Sequence, residues 1–442
     1  MSYLRNEVLE GQQLSFLQPG EIKRWGNSSY GIKGKNIRSA EEIIDNGIAL
    51  DEKILQRHLL CLGSIGSGKS VTLFHIIKAI REGATEDDVF VFFDAKGDYL
   101  EEFYKDGDYV ISNHSIPPSG AVTWNVYQDI LATPQNKRDE TIKEIATALF
   151  REDIEKSGNP VFSTGARDLF AAILSAQSRE METEGTEWDH EKLVSWLQKA
   201  TDKTIRILLQ KHADLKWVRN YMREDRSESS KQSFFQHLYQ NIFSIFSGEF
   251  AKKGQFSIKD AVKKKGGKAI FLEYDLASGS ILSPVYTLLL DLIMKDVLGR
   301  SSSTGNIYFI LDEFPLIPRL NYMDNALNFG RSLGVKVIAG IQNVGQVYHV
   351  YGPELGESII SGFGTMFAFR LFDEPSRTIV QNRHGRNKKI VSIGSSNAAR
   401  GVQDTIIEGN VIEDWDLTSL RIGECIVSPF NGEPFLFYPI NY

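Results

Sequence analysis

The chain has 442 residues, enough for two or three domains, with 42% hydrophobic, 24% charged and 11% aromatic content, as in an ordinary globular protein. Its formal charge of −7 argues against a generally basic surface that coats nucleic acid, while leaving room for a local basic channel. The two cysteines, Cys61 and Cys425, are far apart and the eight histidines show no ligand spacing, which reads as buried free thiols in a reducing cytosol and no zinc site.

The first 26 residues have no apolar core flanked by basic residues, so they read as neither a signal peptide nor a membrane anchor. Residues 15–60 read as a β-rich lead-in that includes "SAEEIIDNGIAL". Next, "RHLLCLG" reads as a buried strand and "SVTLFHIIKAI" as an amphipathic helix. Between them Gly63, Ser64, Ile65, Gly66, Ser67, Gly68, Lys69 and Ser70 fit G-x-x-x-x-G-K-[ST], with Val71 following. Glycines let the backbone wrap an anion with its N–H groups inward, and the helix adds its positive dipole end. Lys69 then reaches the β- and γ-phosphates of ATP, and the Ser70 hydroxyl ligates Mg²⁺. A pattern this short also fits a plain glycine-rich turn; the strand before it and the helix after it favour nucleotide binding.

Further on, "DVFVFFDAKGDYLEEF" is an apolar strand ending in Asp94, and "TPQNKRDETIKEIATALFR" has helical spacing. From about Pro160 to Phe250 every apolar pattern repeats at 3.6 residues, so an all-α insertion is expected. Strand character returns at "KAIFLEYDL". The most apolar run, Ile281–Leu298, contains Asp291, Lys295 and Asp296 and is too short and too charged to span a bilayer, so the chain alone reads as soluble. Alternating strands and helices predict an α/β fold with a mainly parallel sheet. The expected domains are a nucleotide-binding part over 1–159 and 251–442, interrupted by an all-α domain over 160–250.

A phosphate loop needs an acidic partner on a neighbouring strand, and "NIYFILDEFPLI" supplies Asp312 to hold the metal through water and Glu313 to act as general base. Gln342 ends the apolar run "VKVIAGI", either as a sensor of the γ-phosphate or as a loop residue. Arg331, in "NFGRSLG", is either a solvated arginine or a finger for a neighbouring subunit's ATP. Two basic clusters, "KDAVKKKGGKA" and the loop-like "QNRHGRNKK" with Arg383, Arg386, Lys388 and Lys389, are candidate phosphate contacts or solvated faces.

Together "RHLLCLGSIGSGKS", "FFDAKGDYL", "FILDEFPLIPRL", "GRSLGVKVIAGIQNVGQVYHVYG" and the helical insertion resemble the type IV secretion coupling proteins of the TrwB/TraD/TraG kind, ring-forming DNA-dependent ATPases of conjugation. The similarity runs from about residue 35 to the carboxyl end. It implies a RecA-like motor domain, an all-α domain at one mouth of the ring, and a homo-hexamer with single- or double-stranded DNA in its pore. It also implies Lys69 and Ser70 as Walker A positions, Asp312 and Glu313 as Walker B, Arg331 as an arginine finger, Gln342 as the strand-end glutamine, and Arg57 as an arginine near the nucleotide. Such proteins usually begin with transmembrane helices, and none is expected here. Either the anchor or secretion-channel component is a separate polypeptide, or the chain is a soluble relative in DNA processing or defence, as in the FtsK/HerA superfamily. The implied location is cytoplasmic, peripheral at the inner face of the membrane, with a relaxase as a further partner. A second reading is a receptor that hands cargo to the channel, and a third an unrelated phosphotransferase.

Overall fold

Strand Leu59–Leu62 is apolar and buried at every position, as a central parallel strand covered on both faces requires. In the computed structural model, which describes residues 3–16, 31–35, 46–113, 119–222, 228–277, 279–303, 305–394 and 402–439, it lies between two parallel neighbours. Thr365–Ala368 pairs with it on one side and Val335–Ile341 on the other, and Ile307–Leu311 pairs in parallel with Val335–Ile341. Cys425–Ser428, Phe435–Pro439, Gly31–Lys35 and Asn46–Ala49 extend the sheet antiparallel beyond Thr365–Ala368. Residues 36–45, including most of "SAEEIIDN", lie outside the described residues.

Register decides where the chemistry falls. Leu62 is opposite both Ile341 and Ala368, and Leu311 is opposite Ala339. The residues that follow these strands, Gly63, Asp312 and Gln342, therefore emerge at one edge. The residues that precede them, including Arg57 and Arg331, emerge at the other. The strand Leu59–Leu62 alone separates the two edges by about 13 Å.

Helix Lys69–Glu82 buries Leu73, Ile76, Ile77 and Ile80, whose spacing of three and four keeps them on one face. Each such burial stabilises by about 1.5–3 kcal/mol. A separate antiparallel sheet joins Tyr3–Glu10, Arg386–Gly394 and Val402–Asn410. This corrects the reading of "QNRHGRNKK" as a loop: it is the end of helix Glu374–His384 and the start of a strand, whose alternation the run of basic residues masks.

All these elements belong to one compact unit, Met1–Thr85, Ser301–Leu316 and Met323–Tyr442; the second is Glu86–Arg300 with Ile317–Tyr322. The second unit has a parallel trio, Val89–Asp94, Lys268–Glu273 and Tyr109–Ile111, and otherwise helices. Its longest helix, Pro160–Glu184, starts with proline after an Asn159 cap and stops at Gly185 in the left-handed region. No strand occurs among the described residues between Tyr109–Ile111 and Lys268–Glu273, so the fold is α/β with a mainly parallel sheet plus a helical part, as the sequence predicts. Among the described residues no helix is long and apolar enough to cross a membrane.

Candidate active site

The loop after Leu59–Leu62 is pinned at its start by Gly63 N–H donating to Ile341 O at 3.1 Å and Ser64 N–H to Arg370 O at 3.0 Å. Gly68 has φ 105°, where a side chain is strained, and a Cβ there would lie 2.7 Å from Gly423 Cα. Lys69 is buried, with Nζ donating to Gly63 O at 2.6 Å and Ser64 O at 3.2 Å, so the ammonium sits inside the loop on its own carbonyls. The Ser67 hydroxyl is buried with no hydrogen-bond partner among the described residues, an unmet polar group that an oxyanion would satisfy.

Asp312 arrives from the next strand but one. Its Oδ2 accepts from Ser70 Oγ at 3.4 Å. That hydroxyl–carboxylate pair suits a hard cation such as Mg²⁺, which takes one or two carboxylates and completes its shell with water and phosphate oxygens. Among the described residues no three His, Cys, Asp or Glu side chains gather into a metal cage. Gly340 makes the arrangement possible: a Cβ there would lie 2.6 Å from Asp312 Oδ1. No motif spacing in the sequence marks this glycine.

Glu313 has φ 57°, in the left-handed region, and its N–H donates to Asp312 Oδ1 at 3.2 Å. Gln342 Nε2 donates to Glu313 Oε2 at 2.8 Å. Phosphate loop, acid pair and glutamine thus meet at one edge, where a carboxylate can accept a proton from water and an amide can orient it. Cys61 stays inert beside them, because burial pushes its thiol up beyond the ordinary range.

Arg57 and Arg331 are not brought to this edge, because each precedes its strand. Arg57, expected near the nucleotide, thus lies away from the loop of its own chain. Instead they line a cavity of about 590 Å³ with Arg383, His58, His384 and Phe430, and among the described residues no Asp or Glu lines it. The Arg57 guanidinium lies 3.3 Å from the centre of the Phe430 ring, and burial together with nearby Arg331 holds its pKa below the usual value. Arg331 Nε donates to Gln56 Oε1 at 3.2 Å, and Arg383 donates to the carbonyls of Phe363 and Gly364. Burial lowers His58 to about 4, and the ring bridges Leu327 O and Val337 N–H as a neutral strut.

Three of the five lysines of the first cluster are tied up within the protein, while Lys265 Nζ is buried with no hydrogen-bond partner among the described residues. Lys259 Nζ donates to Thr133 Oγ1 at 2.7 Å, Lys263 to Ala132 O at 2.8 Å and Lys268 to Asp106 O at 3.2 Å. In the second cluster Lys388 pairs with Glu10 at 2.6 Å, Arg386 with Glu408 at 3.4 Å and Lys389 with Glu413 at 3.6 Å.

A family model described as the type IV secretion-system coupling protein DNA-binding domain matches residues 42–408. The chain belongs to this family. Coupling protein TraD of Escherichia coli (strain K12) is 22% identical over 427 residues, 94% of this chain and 54% of that protein, so the chain spans about half its length. The plasmid coupling protein TrwB, solved with the non-hydrolysable ATP analogue ADPNP, superposes with a TM-score of 0.70 at 17% identity, covering 100% of this chain and 94% of that one. TrwB with ADP and Mg²⁺ gives 0.66 at 18% identity, covering 94% and 95%. At these identities the likeness establishes the fold, that of a RecA-like coupling-protein core with its helical part.

Proposed function

We propose that this coupling-family chain is an ATPase that moves DNA through a ring of its own copies. The observation that carries the reading is the meeting of Lys69, Ser70, Asp312, Glu313 and Gln342 at one sheet edge. TrwB binding an ATP analogue, and ADP with Mg²⁺, supports ATP and Mg²⁺ as ligands here. The backbone from Gly63 to Ser70 would cradle the phosphates, Val71 would follow them into the helix, and Ser70 with Asp312 would hold the cation. Bound Mg²⁺ would supply charge neutralisation to the phosphates. Lys69 would turn from its loop carbonyls to the phosphates, and Glu313, released from Gln342, would take the proton of the attacking water. Gln342 would then orient that water. Arg331 and Arg57 cannot serve their own loop from the opposite edge; in a hexamer they would be offered to the neighbour's ATP. On this reading residues 1–159 and 251–442 form the motor part and 160–250 the inserted helical domain. The ring would sit in the cytoplasm at the inner face of the membrane, beside a channel component that anchors it and a relaxase.

ATP turnover measured with and without single- or double-stranded DNA over a salt series tests the reading. DNA should raise turnover, the effect should fade with salt, and Lys69→Ala should lose at least about a hundredfold. Near-normal turnover in folded Lys69→Ala would overturn the nucleotide assignment. A rate indifferent to every DNA form at low salt would favour the cargo-receptor reading, which the internal pairing of Lys259, Lys263, Lys268, Arg386, Lys388 and Lys389 also favours.

A further inference from the structure

Beside the phosphate loop a rigid turn presents one aliphatic side chain to solvent, and nothing in the loop motif assigns it a role. Residues Arg421–Glu424 form the turn: Glu424 N–H donates to Arg421 O at 3.0 Å, Gly423 takes φ 86° and Ile422 keeps a negative φ, the type II pattern. The turn is fastened by two bonds to its surroundings and one within itself. Gly423 N–H donates to Ser67 O at 2.9 Å, Arg370 Nε donates to Leu420 O at 2.5 Å, and Arg421 N–H donates to Glu424 Oε2 at 3.1 Å. A Cβ on Gly68 would point at Gly423 Cα, 2.7 Å away, and one on Gly423 would meet the Tyr438 ring at 2.9 Å. The backbone of the turn is thus seated between loop and ring, leaving Ile422 at the corner, 69% exposed. Val71, three residues after Gly68 and so on the same face of the helix, is 44% exposed.

We infer that Ile422 and Val71 form the wall against which the nucleobase of the loop's nucleotide packs. The inference rests on the nucleotide reading above and adds where the base lies and how it is read. An isoleucine held rigid and bare next to a polar cradle gains most from a ligand that is charged at one end and flat and apolar at the other. The wall offers contact area and no hydrogen-bond pattern, so it does not distinguish adenine from guanine.

Calorimetric titration of the full chain with ATP, GTP and inorganic tripolyphosphate tests this. Ile422→Ala should weaken ATP and GTP alike by roughly fivefold, leave tripolyphosphate unchanged and keep the sedimentation of the wild type; Ile422→Leu should restore both nucleotides. Unchanged nucleotide affinity in Ile422→Ala would overturn the wall. Equal loss for tripolyphosphate would make Ile422 a brace of the loop, and altered sedimentation with intact affinity would give it to an interface between copies; either overturns the inference. Failure of the wild type to bind ATP, GTP or tripolyphosphate would instead remove the nucleotide reading on which it rests.

Discussion

Glu313 carries two demands that pull against each other. Its φ of 57° costs about 1–2 kcal/mol for a residue with a Cβ, yet that conformation accompanies the carboxylate's hydrogen bond to Gln342. Strain at such a residue is tolerated when chemistry needs the side chain. Glu313→Gly should therefore raise stability by about 1 kcal/mol while abolishing turnover, read by thermal denaturation beside an ATPase assay. Glu313→Gln keeps the shape and the metal pair, so it should bind ATP normally and hydrolyse it at least about a hundredfold more slowly. Wild-type turnover in Glu313→Gln would assign Glu313 a structural part only, and a less stable Glu313→Gly would refute the strain argument.

At the level of elements, helix Gly279–Leu298 holds segment Ile317–Tyr322 through Asp291, whose carboxylate accepts from Asn321 N–H and Nδ2 at 2.9 Å each. Burial pushes Asp291 up to about 7, against the lowering pull of Arg151 and of the backbone donors. The folded chain then keeps a proton that the unfolded chain has released. Stability contributed here is full below the ordinary carboxylate range and falls as pH rises from about 4 to about 7. Asp291→Asn should flatten that fall, so urea midpoints at pH 5 and pH 8 should differ less than in the wild type. An unchanged difference would show that another group dominates. The sequence made such elements legible where the signal is local. The glycine and lysine spacing between strand and helix, and an acid pair ending an apolar run, need no distant partner to be recognised. What was not legible depends on contacts far along the chain. Lys388 reads as a free cation until Glu10, 378 positions away, is seen beside it, and Lys259 reads as exposed until Thr133 and Asp296 close over it. Gly340 and the turn at Gly423 matter only through what their missing side chains admit, which no spacing encodes.

For the molecule as a whole, the two edges of the parallel strands hold complementary halves of one proposed reaction: the loop and acids on one side, and on the other a cavity that, among the described residues, is lined by arginines and by no carboxylate. If Arg331 acts across a subunit boundary, Arg331→Ala and Lys69→Ala should each be inactive, and mixing the two should restore part of the turnover. In the mixed assembly an intact loop meets an intact arginine from its neighbour. No recovery despite demonstrated co-assembly, or full activity of Arg331→Ala alone, would exclude the role. The same arrangement bears on architecture. A body that joins through unlike edges has a front and a back, and nothing in that pairing stops at two copies. The chain of copies ends only if every joint bends through the same fraction of a full turn; otherwise it grows into a filament. The number of subunits would then be fixed by the angle between the loop edge of one copy and the arginine edge of the next, whatever the strength of the joint.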